Sequence, residues 1–177
     1  MDDLNTHYPL PKDDADTPEK ATAEIRSDAK ENIYVFKDGK QVLRFRGEVN
    51  YVSIPAGLVY MNRMKDSIIV HNHPGGSSFS EDDVAAIIAV DALKIILVTE
   101  KYIYSVTLPK SGCAFTLDNP VVKNHLEECR AMAENELDKM VANNEMKLYE
   151  FETEIFHYIW SVFFRMNGIR YERKKQE

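Results

Sequence analysis

The stretch Ile68-Ile69-Val70-His71-Asn72-His73-Pro74-Gly75-Gly76 constrains this chain more than any other. Three β-branched or branched apolar residues in a row, with no polar alternation, suit a strand that is covered on both faces. That strand runs directly into His71. Residues i and i+2 of a strand point to the same side, so His71 and His73 address one point in space. Beyond the Pro-Gly-Gly bend, Ser80-Glu81-Asp82-Asp83 has the form of a helix start: Ser80 is a good N-cap, Asp83 is the third helical residue, and VAAIIAVDAL continues with helical composition. A sharp loop brings this helix start back over the strand end. His71, His73 and Asp83 then supply two imidazoles and a carboxylate and leave a fourth tetrahedral position for water, the arrangement of catalytic rather than structural zinc. His-x-His alone is weak evidence; its combination with Pro-Gly-Gly and Ser-x-x-Asp carries the signal.

The flanking sequence supplies the rest of a mixed α/β (α+β) domain. Residues 1–20, rich in Asp, Pro, Thr and Lys, are too poor in apolar side chains to offset their ordering entropy and read as a loose leader. A short helix is expected from Thr17 to about Lys30. Two β-rich runs, Ile33 to Phe36 and Gln41 to Phe45, flank Asp38-Gly39, a strong hairpin signal. A third run, Tyr51 to Ile54, reads as a strand that stops at Pro55, and Ala56 to Met64 as a short helix. Strands at Ile95 to Val98 and Tyr102 to Leu108 follow the Ser80 helix.

From about Pro120 the chain reads as long polar helix, either two helices broken near Asn143-Asn144 or one bent one. Phe151, Ile155, Tyr158, Ile159, Val162, Phe163 and Met166 recur there at helical spacing. That stripe either covers the domain's own sheet or serves as a homodimer or partner surface. The basic cluster at Arg170 to Lys175 reads as a solvated tail. The division is thus a leader over 1–20, a metal-binding domain over 21–115 and a C-terminal helical extension over 116–177.

Composition limits the function classes. The 177 residues carry a net charge of −7, which argues against a broad nucleic-acid surface. No apolar run approaches the roughly 18 residues of a membrane span, and the N-terminus lacks the features of a secretory signal, so a cytoplasmic protein is expected. Cys113 and Cys129 have neither a disulfide framework nor a C-x-x-C spacing around them.

The motifs His71-Asn72-His73-Pro74, Gly75-Gly76 and Ser80-x-x-Asp83 resemble the JAB/MPN (JAMM) metalloprotease family, and Val70-His71-Asn72-His73-Pro74-Gly75-Gly76 is most similar to its bacterial RadC-type and phage-associated branch. The resemblance covers about residues 28–110. It implies a mixed β-sheet with flanking helices, the JAB/MPN (cytidine-deaminase-like) architecture, with Zn2+ held by His71, His73 and Asp83. It also implies hydrolysis of peptide or isopeptide bonds, often at ubiquitin-like C-termini. The family uses an upstream Glu as general base; Glu31, just before the first hairpin strand, matches that position, with Glu48 as the competitor. By the same analogy Ser80 caps its helix and donates to the tetrahedral oxyanion. One departure stands out: Pro74 to Phe79, six residues, is one shorter than the usual spacing between the second His and the Ser.

The function implied is a zinc metallopeptidase in which an extended substrate pairs with an exposed strand edge. The alternative is a catalytically silent binding module acting through its C-terminal aromatic helix in a phage or mobile-element assembly. A DNA-related role rests on the RadC likeness alone and runs against the acidic charge.

Overall fold

The computed structural model describes residues 15–49, 51–54, 57 and 62–177. The first helix, α1 (Pro18–Ile25), has Pro at its first position and Thr17 as N-cap, whose hydroxyl accepts from the Lys20 amide. It therefore begins inside the segment read as leader, while residues 1–14 lie outside the described residues. It also stops short of Lys30. The Asp28 amide turns back onto the Ile25 carbonyl and the Asp28 carboxylate accepts from the Lys30 amide at 3.0 Å, a local turn that competes with a further helical turn.

Strands β1 (Asn32–Lys37) and β2 (Lys40–Arg46) form the expected hairpin. Asp38 and Gly39 both take positive φ, 51° and 74°, as a two-residue turn of this kind demands. The strand expected over Tyr51 to Ile54 does not form. Beyond β2 the Glu48 amide bonds to the Tyr51 carbonyl, so that carbonyl is consumed in a tight loop instead of a ladder. A Cβ on Gly47 would lie 2.0 Å from the same carbonyl, and only glycine admits the approach. The helix expected over 56–64 falls mostly outside the described residues, and Asn62 to Asp66 form turns.

The remaining elements are β3 (Ile68–Asn72), α2 (Glu81–Ala89), β4 (Lys94–Val98), β5 (Tyr102–Thr107), α3 (Pro120–Ala142), a 3-10 turn (Leu148–Glu150), α4 (Phe151–Met166) and β6 (Arg170–Lys175). The architecture is mixed α+β, with four α-helices among the described residues and one six-stranded sheet in the order β2-β1-β3-β4-β5-β6. Only β3 and β4, joined through α2, run parallel. Tyr34, Phe36, Val70 and Val98 point to the face covered by α1, with Ala21 and Ile25. Ile33, Val35, Ile69, Ile95 and Leu97 point to the opposite face and meet Val84 and Ile87 of α2, Leu126 and Leu137 of α3, and Trp160 and Phe163 of α4. Burial on both faces is why β3 tolerates an unbroken apolar run.

The C-terminal region breaks at Asn143-Asn144, where Asn144 takes φ 61°. In α4 the apolar stripe is largely spent on the domain's own core: Ile155, Ile159 and Phe163 are buried, Phe151, Tyr158 and Val162 pack against them, and Met166 is exposed. The terminal basic cluster is no tail. It is β6, paired antiparallel with β5 from Thr107↔Arg170 to Tyr102↔Lys175. Tyr171 and Arg173 are half-buried while Arg170, Glu172 and Lys174 are exposed, an alternation hidden by the high charge of the segment. Arg173 lies over the Tyr102 ring and its guanidinium bonds to Glu154 at 2.5 Å. Charged side chains on such an edge also discourage pairing with other chains. Among the described residues, no helix is long and apolar enough to cross a membrane.

Candidate metal centre

The two histidines stand where the strand period places them. His71 shares its sheet face with Ile69 and pairs in register with Ile33 of β1 and Leu97 of β4. His73, whose amide bonds to the Val98 carbonyl, follows on the same side, and the two rings meet edge to face with centroids 4.8 Å apart. Asn72 between them points the other way, toward the segment before β1.

Glu31 reaches the histidines from that segment. Its amide bonds to the Glu48 carbonyl and its carbonyl accepts from the Gly47 amide, both at 2.8 Å. Its carboxylate is buried, with Oε2 3.4 Å from His71 Nε2. The rival Glu48 shares only the backbone: its side chain is exposed and pairs with Lys30 at 3.0 Å. Asn72 ties the Glu31 segment to β3, since its Oδ1 accepts from the Asn32 amide at 2.7 Å and its Nδ2 donates to the Lys30 carbonyl at 3.1 Å.

Asp83 arrives from the other side, on the first turn of α2. A reciprocal cap fixes it: the Asp83 amide donates to Ser80 Oγ, while the Ser80 amide and hydroxyl both donate to Asp83 Oδ2 at 2.7 Å. The carboxylate lies across both imidazoles, with Oδ2 3.2 Å from His73 Nε2 and Oδ1 3.5 Å from His71 Nδ1. Burial alone would raise its pKa. The His73 hydrogen bond, the fields of both histidines and the Ser80 hydroxyl outweigh burial and hold the carboxyl well below the ordinary range. Burial would likewise lower the His73 imidazole, but Asp83, then Glu31 and the Ser77 carbonyl, raise it instead.

His73 Nδ1 lies 3.3 Å from the Ser77 carbonyl. Ser77 Oγ lies 3.3 Å from the same nitrogen, so Ser77 braces the ring there, an outer support of the kind that metal-binding imidazoles have, while Nε2 faces Asp83 Oδ2. His71 Nε2 is the anomaly. It is fully buried and has no hydrogen-bond partner among the described residues. Glu31, His71 and His73 each offer one ligand atom, all within 4.8 Å of one another, and this buried group can hold a metal ion. An orphaned imidazole nitrogen beside converging carboxylates is the donor chemistry that an ion satisfies.

The five residues singled out from sequence therefore share one site, with a difference in grouping. The compact group that could hold an ion contains Glu31, whereas Asp83 meets His71 through the opposite ring nitrogen. Ser80 is on the wall of the site, its hydroxyl committed to Asp83. Ser77, beside His73 Nδ1, is a supporting residue that the motif reading passes over, and nothing in its sequence context marks it.

A cavity of about 570 Å³ opens onto the centre. Its described lining joins the polar cluster to an apolar wall that includes Ile33, Val52 and Ile54 on one side and Ala86, Ala89 and Val90 on the other. Compared with known proteins, the chain matches no protein-family model, no curated protein and no solved structure.

Proposed function

We propose that the chain is a zinc-dependent metallopeptidase or isopeptidase of the JAB/MPN (JAMM) type, acting on a protein or peptide, ubiquitin-like proteins among the candidates. The observation that carries this reading is the gathering of His71, His73, Asp83 and Glu31 in one buried cluster, Glu31 and Asp83 on opposite ring nitrogens of His71, with His71 Nε2 outside any hydrogen bond among the described residues. A strand end, a bend and a helix start that deliver a His-x-His and an Asp, with a Glu entering from the adjacent hairpin strand, also support the JAB/MPN architecture. Imidazole and carboxylate donors with room for a water suit zinc.

His71, His73 and Asp83 are assigned as ligands, and Glu31 as general base. Bound zinc supplies a Lewis acid that polarises the scissile carbonyl and brings the pKa of a water near neutrality. Glu31 takes the proton from the attacking water and returns it to the leaving amine. Ser80 first orients Asp83; donation to the oxyanion requires its proton to leave Asp83 Oδ2. The apolar wall of the cavity accepts a side chain flanking the scissile bond.

The test is metal content by mass spectrometry of the purified chain, with Asp83→Asn, Glu31→Gln and the His71→Ala, His73→Ala pair alongside. The assignment expects near-stoichiometric zinc in wild type and Glu31→Gln, and its loss in the other two. Zinc lost from Glu31→Gln but kept by Asp83→Asn would exchange the two carboxylate roles. Absence of zinc from supplemented wild type would refute the reading.

A further inference from the structure

The loop from Pro74 to Phe79 joins one ligand to the helix that bears another, yet it has little structure of its own. Within it the Gly76 amide bonds back to the His73 carbonyl, and Gly76 takes φ 83°. Its last residues are instead held from the far end of the chain. Ser78 is fully buried, and its hydroxyl pairs with the Tyr171 hydroxyl at 3.0 Å, a partner 93 positions away. The Tyr171 hydroxyl also meets His157 Nδ1 of α4 at 2.8 Å. Next along the loop, the buried Phe79 carbonyl accepts from Trp160 Nε1 at 2.6 Å, and the Phe79 ring sits between Tyr104 and Tyr171 with centroids 6.5 Å from each. Ser80 and the capping box follow immediately.

We propose that Tyr171, bridging Ser78 of the ligand loop to His157 of α4, is a positioning residue for the metal centre, with Trp160 as its second anchor. This rests on the metal-centre reading given above. Since β6 carries Tyr171 and α4 carries His157 and Trp160, the C-terminal region acts as a clamp on the site. It fixes the spacing from His73 to Asp83 across a glycine-rich loop whose own bonds, from Gly76 and Ser77 to His73, stop before Ser78. The clamp acts on geometry: Tyr171 and Trp160 touch the loop and neither carboxylate. Sites of this kind need their donors held to within about 0.5 Å, and loss of an outer support commonly costs about 10- to 100-fold in metal affinity.

The experiment uses the full chain carrying Tyr171→Phe, which keeps the ring and removes the hydroxyl. Three quantities are compared with wild type: zinc affinity by chelator competition, the visible spectrum of the cobalt-loaded protein, and amide hydrogen exchange of Ser77 to Asp83 in metal-free protein. The expected result is a zinc affinity about tenfold or more weaker, an altered cobalt spectrum and faster exchange of that loop, with the melting temperature largely retained. Tyr102→Phe, an aromatic change on the neighbouring strand, serves as control and leaves all three at wild-type values. Wild-type zinc affinity with unchanged loop exchange in Tyr171→Phe overturns the proposal. Should Tyr171→Phe fold poorly, Ser78→Ala removes the other end of the same bond and is judged by the same criteria. If wild type itself binds no zinc, the metal-centre reading fails; loop exchange in metal-free protein then still shows whether the clamp exists.

Discussion

Asn72 carries a sharper burden than its place between two histidines suggests, and Asn72→Ala measures it. Its Oδ1 is the acceptor for the Asn32 amide, and both residues are buried. Truncation leaves that amide unpaired, at a cost of about 1–3 kcal/mol. The two bonds from Nδ2, to the carbonyls of Lys30 at 3.1 Å and Asp28 at 3.3 Å, are only partly buried, and water replaces some of their worth. A total of about 2–4 kcal/mol is expected, which for a chain of this size lowers the melting temperature by roughly 4–16 °C. Asn72→Asp keeps the acceptor but sets a second carboxylate oxygen against the Lys30 and Asp28 carbonyls, so it is no milder than Ala. Because Asn72 lies between His71 and His73, the zinc-induced rise in melting temperature also shrinks in Asn72→Ala. Thermal melts by circular dichroism, with zinc and with chelator, read both effects. A metal-free Asn72→Ala protein that melts within about 2 °C of wild type would refute the claim that this side chain holds the Glu31 segment to β3.

Glu31→Gln retains zinc and loses about 10²- to 10⁴-fold in turnover of any peptide substrate identified, read in a steady-state cleavage assay. Burial, and secondarily Arg173, lower the His157 pKa to about 3, so the unfolded state takes up this proton first as pH falls. With Tyr171, Tyr158, Tyr104 and Arg173 around it, this stabilising contribution is fully present above about pH 6.5 and is lost progressively toward pH 3; about 1–2 kcal/mol disappears between pH 7 and 5, and the loss is absent in His157→Phe melts. Ala86→Phe, on the exposed face of α2 within the cavity, leaves zinc content unchanged and raises KM or abolishes cleavage by filling the substrate space. In metal-free protein, the pair His71→Leu and Glu31→Leu melts no lower than wild type, because an apolar replacement of a poorly bonded buried polar pair is commonly neutral or stabilising; a large fall would make the cluster structural.

The parts of the site that were legible from sequence rest on short-range rules. Strand periodicity puts His71 and His73 on one side, the capping box fixes Asp83 relative to Ser80, and positive φ at Asp38 and Gly39 closes the hairpin next to Glu31. The misses are contacts between distant segments. Arg170 to Lys175 has too few apolar residues to read as a strand; it becomes one because β5 offers an open edge and Tyr171 finds Phe79, Phe164 and His157. Tyr51 to Ile54 has strand composition, but the Gly47-Glu48 turn takes the Tyr51 carbonyl. The choice between Glu31 and Glu48 likewise needed coordinates, because both flank strand segments and only burial separates them.

The contrast between the cluster and the other ion pairs bears on why these residues are there. Where charge contributes to the fold, it sits at the margin with hydrogen bonds: Arg44 with Glu24 at 3.0 Å, Arg46 with Asp28 at 3.2 Å, Arg173 with Glu154 at 2.5 Å. At the site, two carboxylates and two imidazoles are gathered at the end of β3, and His71 faces carboxylates on both sides, with its Nε2 fully buried and outside any hydrogen bond among the described residues. Withdrawing such groups from water costs several kcal/mol per ion, and an imperfect pair does not recover it. An apolar side chain at His71 would extend the core formed by Ile33, Ile69 and Leu97 at lower cost. A fold that keeps four ionisable groups in that position, braces one carboxylate with a capping box and one imidazole with Ser77, and opens a cavity onto them gathers donors that could hold an ion, as proposed above. It is poorly explained by stability.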